Sequence, residues 1–154
     1  MVEKTKDAAG FVLFNELGEV LLVHQKYGKK KWALPGGVEL DGESAWQTAI
    51  RECKEEIDID IEPSQCILTG LYFLSHRNAY VYTFRAASWS GIPKPDEVEI
   101  DEIAYFPVDE LPAPMSNFTV QRIKDAAMDY SNVVLREQHV DDYVIGDPKN
   151  FMTE

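Results

Sequence analysis

From Ala8 to Gln25 the chain reads AAGFVLFNELGEVLLVHQ, two apolar runs separated by the polar stretch Asn15 to Glu19. That pattern predicts a β-hairpin, and because both runs are apolar nearly throughout, the sheet is expected to be covered on both faces. Trp32 to Leu34 predicts a short strand ending at Pro35-Gly36-Gly37, where the backbone is expected to turn because that tripeptide suits no strand or helix interior. Between Ala45 and Ile57 the period changes. At 100° per residue, Ala49, Cys53, Ile57, Trp46 and Ile50 share one arc, while Glu52, Glu56 and Glu55 fall within another about 100° wide. Ser44 and Gln47 form a capping-box pattern at its start, and Asp58 to Ile61 followed by Pro63 marks the exit.

Cys66 to Leu74 and Ala79 to Ala87 predict two further strands joined at His76-Arg77-Asn78. Alternation in the second puts Tyr80, Tyr82 and Phe84 on one face and Val81, Thr83 and Arg85 on the other. Trp89 to Val98 holds Gly91, Pro93 and Pro95 and reads as a loop. Ile103 to Pro107 reads as a strand preceded by Glu97, Glu99, Asp101 and Glu102. After the break at Leu111 to Pro114, a second surface helix is expected over Asn117 to Tyr130. Beyond Leu135 only isolated apolar residues remain, so residues 137–154 are expected to be a tail of unassigned role.

At 154 residues, one domain is expected. A composition 45% hydrophobic and 27% charged suits a soluble globular protein, and no apolar run reaches bilayer length. The charged N-terminus lacks a signal-peptide core, which makes a cytoplasmic location the expectation. The net charge of -12 opposes binding to long nucleic acids, which depends on Lys and Arg releasing counterions. Cys53 and Cys66 form no zinc motif and are expected to be reduced thiols. The basic loop from Tyr27 to Lys31 is either a solvated turn or a phosphate-contacting strip.

Three carboxylates on one helix face oppose one another's ionisation, and a divalent cation removes that penalty. Oxygen ligands without Cys or His point to a hard ion, Mg²⁺ or Mn²⁺. An ordinary solvated acidic face is the competing reading. Two neighbours favour the metal. Gly36 and Gly37 let backbone come close to a ligand, and Arg51 can fork onto a carboxylate such as Glu43. Metal-assisted attack of water on a phosphate ester or anhydride fits these parts.

Gly37, Glu43, Arg51-Glu52, Cys53, Lys54, Glu55-Glu56, Ile57, Asp58 and Ile59, at this spacing, resemble the Nudix box. Asp58 stands where the family usually has glycine; an Asp can take the left-handed conformation of a helix exit, so activity is expected to survive. The resemblance extends roughly from Ala8 to Tyr130, with a Nudix domain expected over residues 1–136. It implies an α+β fold, an α/β/α sandwich with a mixed central β-sheet. It also implies hydrolysis of a nucleoside diphosphate linked to another moiety. Glu52 and Glu56 are then the principal metal ligands, joined by Glu55 and the Gly37 carbonyl, while Arg51 and Glu43 order the site. The general base is either Glu52 or an acid of the later loop, with Glu99 and Glu102 preferred there.

Substrate contacts are expected from Lys31, Tyr80 and Tyr82; Tyr72, Phe73 and Trp89 are further aromatics that serve either a base or the core. The layout resembles compact MutT-like members, which implies a nucleoside triphosphate or nucleotide-sugar substrate. ADP-ribose and dinucleoside polyphosphates are the alternatives. Non-catalytic nucleotide sensing and isoprenoid diphosphate isomerisation are more distant readings on the same fold. The expected partner is a small nucleotide, with neither membrane nor long nucleic acid, and a homodimer is left open.

Overall fold

In the computed structural model, residues 2–128 and 131–148 are described. The strands are β1 (Ala8–Phe11), β2 (Val20–Gln25), β3 (Trp32–Ala33), β4 (Gly36–Val38), β5 (Cys66–Leu74), β6 (Ala79–Ala86), β7 (Ile100–Phe106), β8 (Met115–Ser116), β9 (Val134–Gln138) and β10 (Ile145–Gly146). The helices are α1 (Ala45–Ile57) and α2 (Asn117–Ala127). The expected extension of α2 to Tyr130 ends at residues 129–130, outside the described ones.

Alternation along β1 and β2 builds the layers. Phe11, Leu13, Leu21 and Val23 point to one side and pack with Ala49, Cys53 and Ile57 of α1. Val12, Val20 and Leu22 point to the other and pack with Val120, Ile123 and Ala126 of α2. Each Phe, Leu, Ile or Val side chain among them, fully removed from water, contributes about 1.5–3 kcal/mol. The helices thus cover opposite faces, giving the α/β/α sandwich of an α+β fold.

The strands form a five-stranded mixed sheet, β4-β1-β6-β5-β9, a three-stranded sheet, β3-β2-β7, and the small pair β10-β8. β1 runs parallel to β6 and antiparallel to β4, and β9 runs parallel to β5. The expected hairpin survives only near its turn. The Leu21 amide donates to the Leu13 carbonyl at 2.8 Å, and Phe14 bridges to Val20. Upstream, both edges of β1 are taken by β4 and β6, so β2 leaves to pair with β3 and β7.

Gly36 and Gly37 are not a turn, as the sequence suggested, but lie within β4, opposite Gly10 and Ala9. A Cβ on Gly36 would lie 2.5 Å from the Ala9 carbonyl oxygen, and one on Gly10 would lie 2.6 Å from that of Pro35. Glycine is needed here for close strand approach.

Residues expected to form a tail contribute to the sheets: β9 spans the start of that segment, and Ile145 of β10 pairs with Ser116 of β8. No helix among the described residues is long and apolar enough to cross a membrane.

Candidate active site

The site is built along α1, from its N-cap to its last turn. Ser44 Oγ accepts from the Gln47 amide at 3.2 Å, and Gln47 Oε1 accepts from the Ser44 amide at 2.8 Å, the complete capping box. Glu43, just outside the helix, accepts from the Leu40 amide at 2.8 Å and from the Thr48 hydroxyl at 2.9 Å.

Arg51, two turns into α1, is the hub. Its Nε and Nη2 donate to the two oxygens of Glu43 at 2.7 and 3.1 Å, a bidentate clamp. Its Nη1 donates to Glu52 at 2.8 Å and to Glu55 at 3.1 Å, and Nη2 also reaches the Val38 carbonyl at 3.1 Å. The guanidinium thus ties three carboxylates of the helix region to β4. The bonds from Arg51, Leu40 and Thr48 hold the Glu43 carboxyl down at about 2, while Glu43 and Glu52 push the Arg51 guanidinium up.

The Glu52 carboxylate lies against Gly37: a Cβ there would sit 2.5 Å from the carboxyl carbon. One turn further, Glu56 is 6% exposed and its Oε1 accepts from the Gly36 amide at 3.3 Å. Burial first, and the adjacent Glu52 charge second, push its carboxyl up to about 9. Gly36 and Gly37, expected as a turn and as a close backbone approach to a ligand, therefore hold both central carboxylates, Gly36 through its amide and Gly37 through its missing side chain.

The late acidic loop docks on the end of α1. The Asp96 amide donates to the Glu56 carbonyl at 3.0 Å and that of Lys94 to the Ile57 carbonyl at 3.0 Å. Asp96 Oδ1 accepts from the amides of Val98, Glu99 and Ile100 at 3.0, 3.0 and 2.9 Å. This holds Glu99 close enough for its charge to raise the Glu56 carboxyl. Burial and the charges of Glu56, Glu99 and Glu52 raise the Tyr27 phenol as well, so that ring also borders the group. Glu102 lies further along, in β7 opposite His24 of β2, and neighbouring Asp101 sits 2.7 Å from His24 Nδ1. Asp96 was not singled out from sequence, and Tyr27 only as the start of the basic loop. An acid two to four residues ahead of the amides it accepts from is a local pattern that could have found Asp96.

Asp58 closes α1 at φ 59° and ψ 40°, in the left-handed region, with its amide on the Lys54 carbonyl at 3.0 Å. Its carboxylate pairs with Lys54 at 2.9 Å and Lys94 at 3.7 Å and stands apart from the Arg51 group.

Beside Gly36 and Gly37 opens a cleft of about 500 Å³, walled by β1, β6, the start of α2 and Tyr143. Lys31 borders it and touches the Tyr143 hydroxyl. Of the aromatics, the structure brings neither Tyr80 nor Tyr82 to this cleft: Val81 and Thr83, on the other face of β6, line it. Tyr82 stands beside Ala45 and Trp46 on the α1 side, and Tyr80 packs against Phe73. Tyr72 is fully buried, with its hydroxyl donating to Asp125 at 2.7 Å.

The donor set suits a hard divalent cation. It is made of oxygens, it includes a buried carboxylate whose proton a cation could replace, and its second carboxylate lies where a Cβ on Gly37 would sit. Among the described residues no three such side chains converge on one point. Arg51 instead holds Glu52 and Glu55, while Glu56 sits behind.

Comparison with known proteins agrees with this geometry. The sequence profile of the NUDIX domain matches residues 4–126. The chain is 32% identical over 101 residues to a putative ADP-ribose pyrophosphatase of Bacillus subtilis, covering 61% of this chain and 47% of that protein. It is 43% identical over 58 residues to an asymmetrical bis(5'-nucleosyl)-tetraphosphatase of Caenorhabditis elegans, covering 36% and 42%. The chain spans less than half the length of the curated relatives it matches. Among solved structures, a MutT Nudix hydrolase of Burkholderia pseudomallei superposes with a TM-score of 0.70 at 22% identity, covering 80% of this chain and 98% of that one, a likeness of fold. With the profile spanning most of its length, the chain belongs to the Nudix family.

Proposed function

We propose that the protein hydrolyses a phosphoanhydride bond in a nucleoside diphosphate linked to a second group, with Mg²⁺ or Mn²⁺ as the ion. One observation carries this reading: Arg51 gathers Glu43, Glu52 and Glu55 beside Gly36 and Gly37, where the buried Glu56 closes the group and the cleft begins. Glu52, Glu55, Glu56 and the Gly37 carbonyl would hold the ion, which when bound supplies neutralising charge and Lewis acidity at the phosphate. Arg51 and Glu43 position the helix-borne carboxylates. Glu99 or Glu52 takes the proton of the attacking water. As the water oxygen bonds to phosphorus, the bridging oxygen departs with the other phosphate. Glu99 is preferred over Glu102 because its charge acts on Glu56.

A nucleoside triphosphate or nucleotide sugar is the leading substrate class. The descriptions of the Bacillus subtilis and Caenorhabditis elegans relatives favour ADP-ribose or a dinucleoside polyphosphate as the second reading. The test is a panel of all four classes with each metal and product identification. The wild type is expected to hydrolyse at least one, and Glu56→Gln to lose that activity. Tight nucleotide binding without turnover would overturn the catalytic reading in favour of a sensor.

A further inference from the structure

The cleft has a charge opposite to that of the chain. With a net charge of -12 overall, its lining includes Lys31, Arg77 and Arg122 and, among the described residues, neither Asp nor Glu. None of the three cations makes an ion pair among the described residues.

Arg122 is the most constrained of them. Its Nε and Nη2 donate to Gln138 Oε1 at 3.2 and 2.8 Å, and the Gln138 amide is itself fixed by donating to the Phe118 carbonyl at 3.0 Å. The guanidinium lies 5.5 Å from the Tyr72 ring centre and 5.9 Å from that of Phe118. The carboxylate one turn along α2, Asp125, is taken by Arg136, with two contacts of 2.8 Å, and by the Tyr72 hydroxyl. Arg122 thus faces a neutral amide and two aromatic rings, and Nη1 donates to nothing among the described residues. A half-buried cation without an anion is costly, and desolvation pulls this guanidinium down to about 10. A planar fork held on one edge and open on the other suits an incoming oxyanion.

We propose that Arg122 is a specificity-determining residue that binds a phosphate monoester of the substrate remote from the scissile anhydride, with Lys31 and Arg77 sharing its charge. A phosphate monoester is preferred to a carboxylate because it carries close to two charges at neutral pH, and three cations border the cleft. The scissile diphosphate belongs at Glu52 and Glu56, which α1 presents; Arg122 lies on α2, packed on the opposite face of the sheet. This rests on the hydrolase reading and goes beyond its four substrate classes, none of which carries a phosphate outside the anhydride chain.

The test compares kcat/KM within two matched pairs, coenzyme A with its 3'-dephospho form and NADP with NAD, each differing by one remote phosphate. The wild type is expected to favour the phosphorylated member of at least one pair by about 10- to 100-fold, the range of a charge-assisted contact. Arg122→Gln should bring that ratio towards one, and Arg122→Lys should restore part of it. No preference in either pair, or an Arg122→Gln variant that slows both members equally, overturns the proposal; the latter would make Arg122 structural.

A second arm needs no turnover. Calorimetry without metal compares adenosine 3',5'-bisphosphate, adenosine 5'-monophosphate and inorganic phosphate. Tighter binding of the bisphosphate, lost in Arg122→Gln, supports the site even if no anhydride is cleaved, in which case only the hydrolase reading fails. Inorganic phosphate binding as tightly as the bisphosphate assigns the cleft to a free anion and overturns a substrate-borne one.

Discussion

Replacing Glu56 with glutamine should make the ion-free protein more stable, by an amount that grows with pH. In the folded chain, burial and the Glu52 charge keep the Glu56 carboxyl protonated up to about 9, against 4.5 for an unperturbed glutamate. Between these values the folded state binds a proton that the unfolded state does not, so stability falls as pH rises, by about 1.4 kcal/mol per unit. The contribution is complete below about 4.5 and is gone above about 9. From pH 5.5 to 7.5 the fall has a ceiling of about 3 kcal/mol, and a loss of about 1–3 kcal/mol is expected. The Glu56→Gln side chain keeps the shape and an acceptor for the Gly36 amide but never ionises, so the variant lacks this slope. Urea unfolding of both proteins in chelator at about pH 5.5 and 7.5 measures it. Saturating Mg²⁺ should then stabilise the wild type more than the variant at the higher pH. Parallel pH profiles for the two proteins would refute the reasoning.

Arg51→Ala releases Glu43, Glu52 and Glu55 together and should lower kcat/KM by about 100-fold or more. The same variant should also lose the stabilisation from Glu43, which is present above about 4.5 and disappears as pH falls through about 2; acid titration followed by circular dichroism reads that limb. Gly37→Ala drives a methyl into the Glu52 carboxylate, so Mg²⁺ affinity by calorimetry should weaken with little change in melting temperature. Tyr72→Phe removes one partner of the buried Asp125 and should cost about 1–2 kcal/mol in denaturant unfolding. Asp58→Gly relieves a left-handed backbone but removes the pairs with Lys54 and Lys94; stability should change by less than about 1 kcal/mol and hydrolysis not at all.

Helix α1 could be read to the residue because its signals are local: Ser44 and Gln47 reach each other across one turn, and the positive φ of Asp58 needs no tertiary partner. Arg51 with Glu43 was legible for a related reason, since a helix fixes which side chains follow the cap. Strand partners were not. Apolar alternation identifies β1 and β2 as strands but cannot say that β4 and β6 take the edges of β1. Gly36 and Gly37 looked like a turn because sequence shows their freedom and not the backbone of Gly10 pressed against them. The same limit hid the cleft. Which face of β6 looks into it depends on where α2 docks, so Tyr80 and Tyr82 drew notice while Val81, Thr83 and Arg122 did not. Residues 134–146 carry too few apolar positions to announce strands, and they are ordered by pairing with β5 and β8.

The central claim is that the carboxylates gathered around Arg51 cleave a phosphoanhydride. Its most direct test is the initial rate of product release from the best substrate of the panel, for wild type and Glu52→Gln, with Mg²⁺ and with chelator. Wild-type turnover that vanishes in chelator and falls by about 100-fold or more in the variant is the predicted result. Equal rates in the two proteins, or turnover indifferent to the ion, would contradict it.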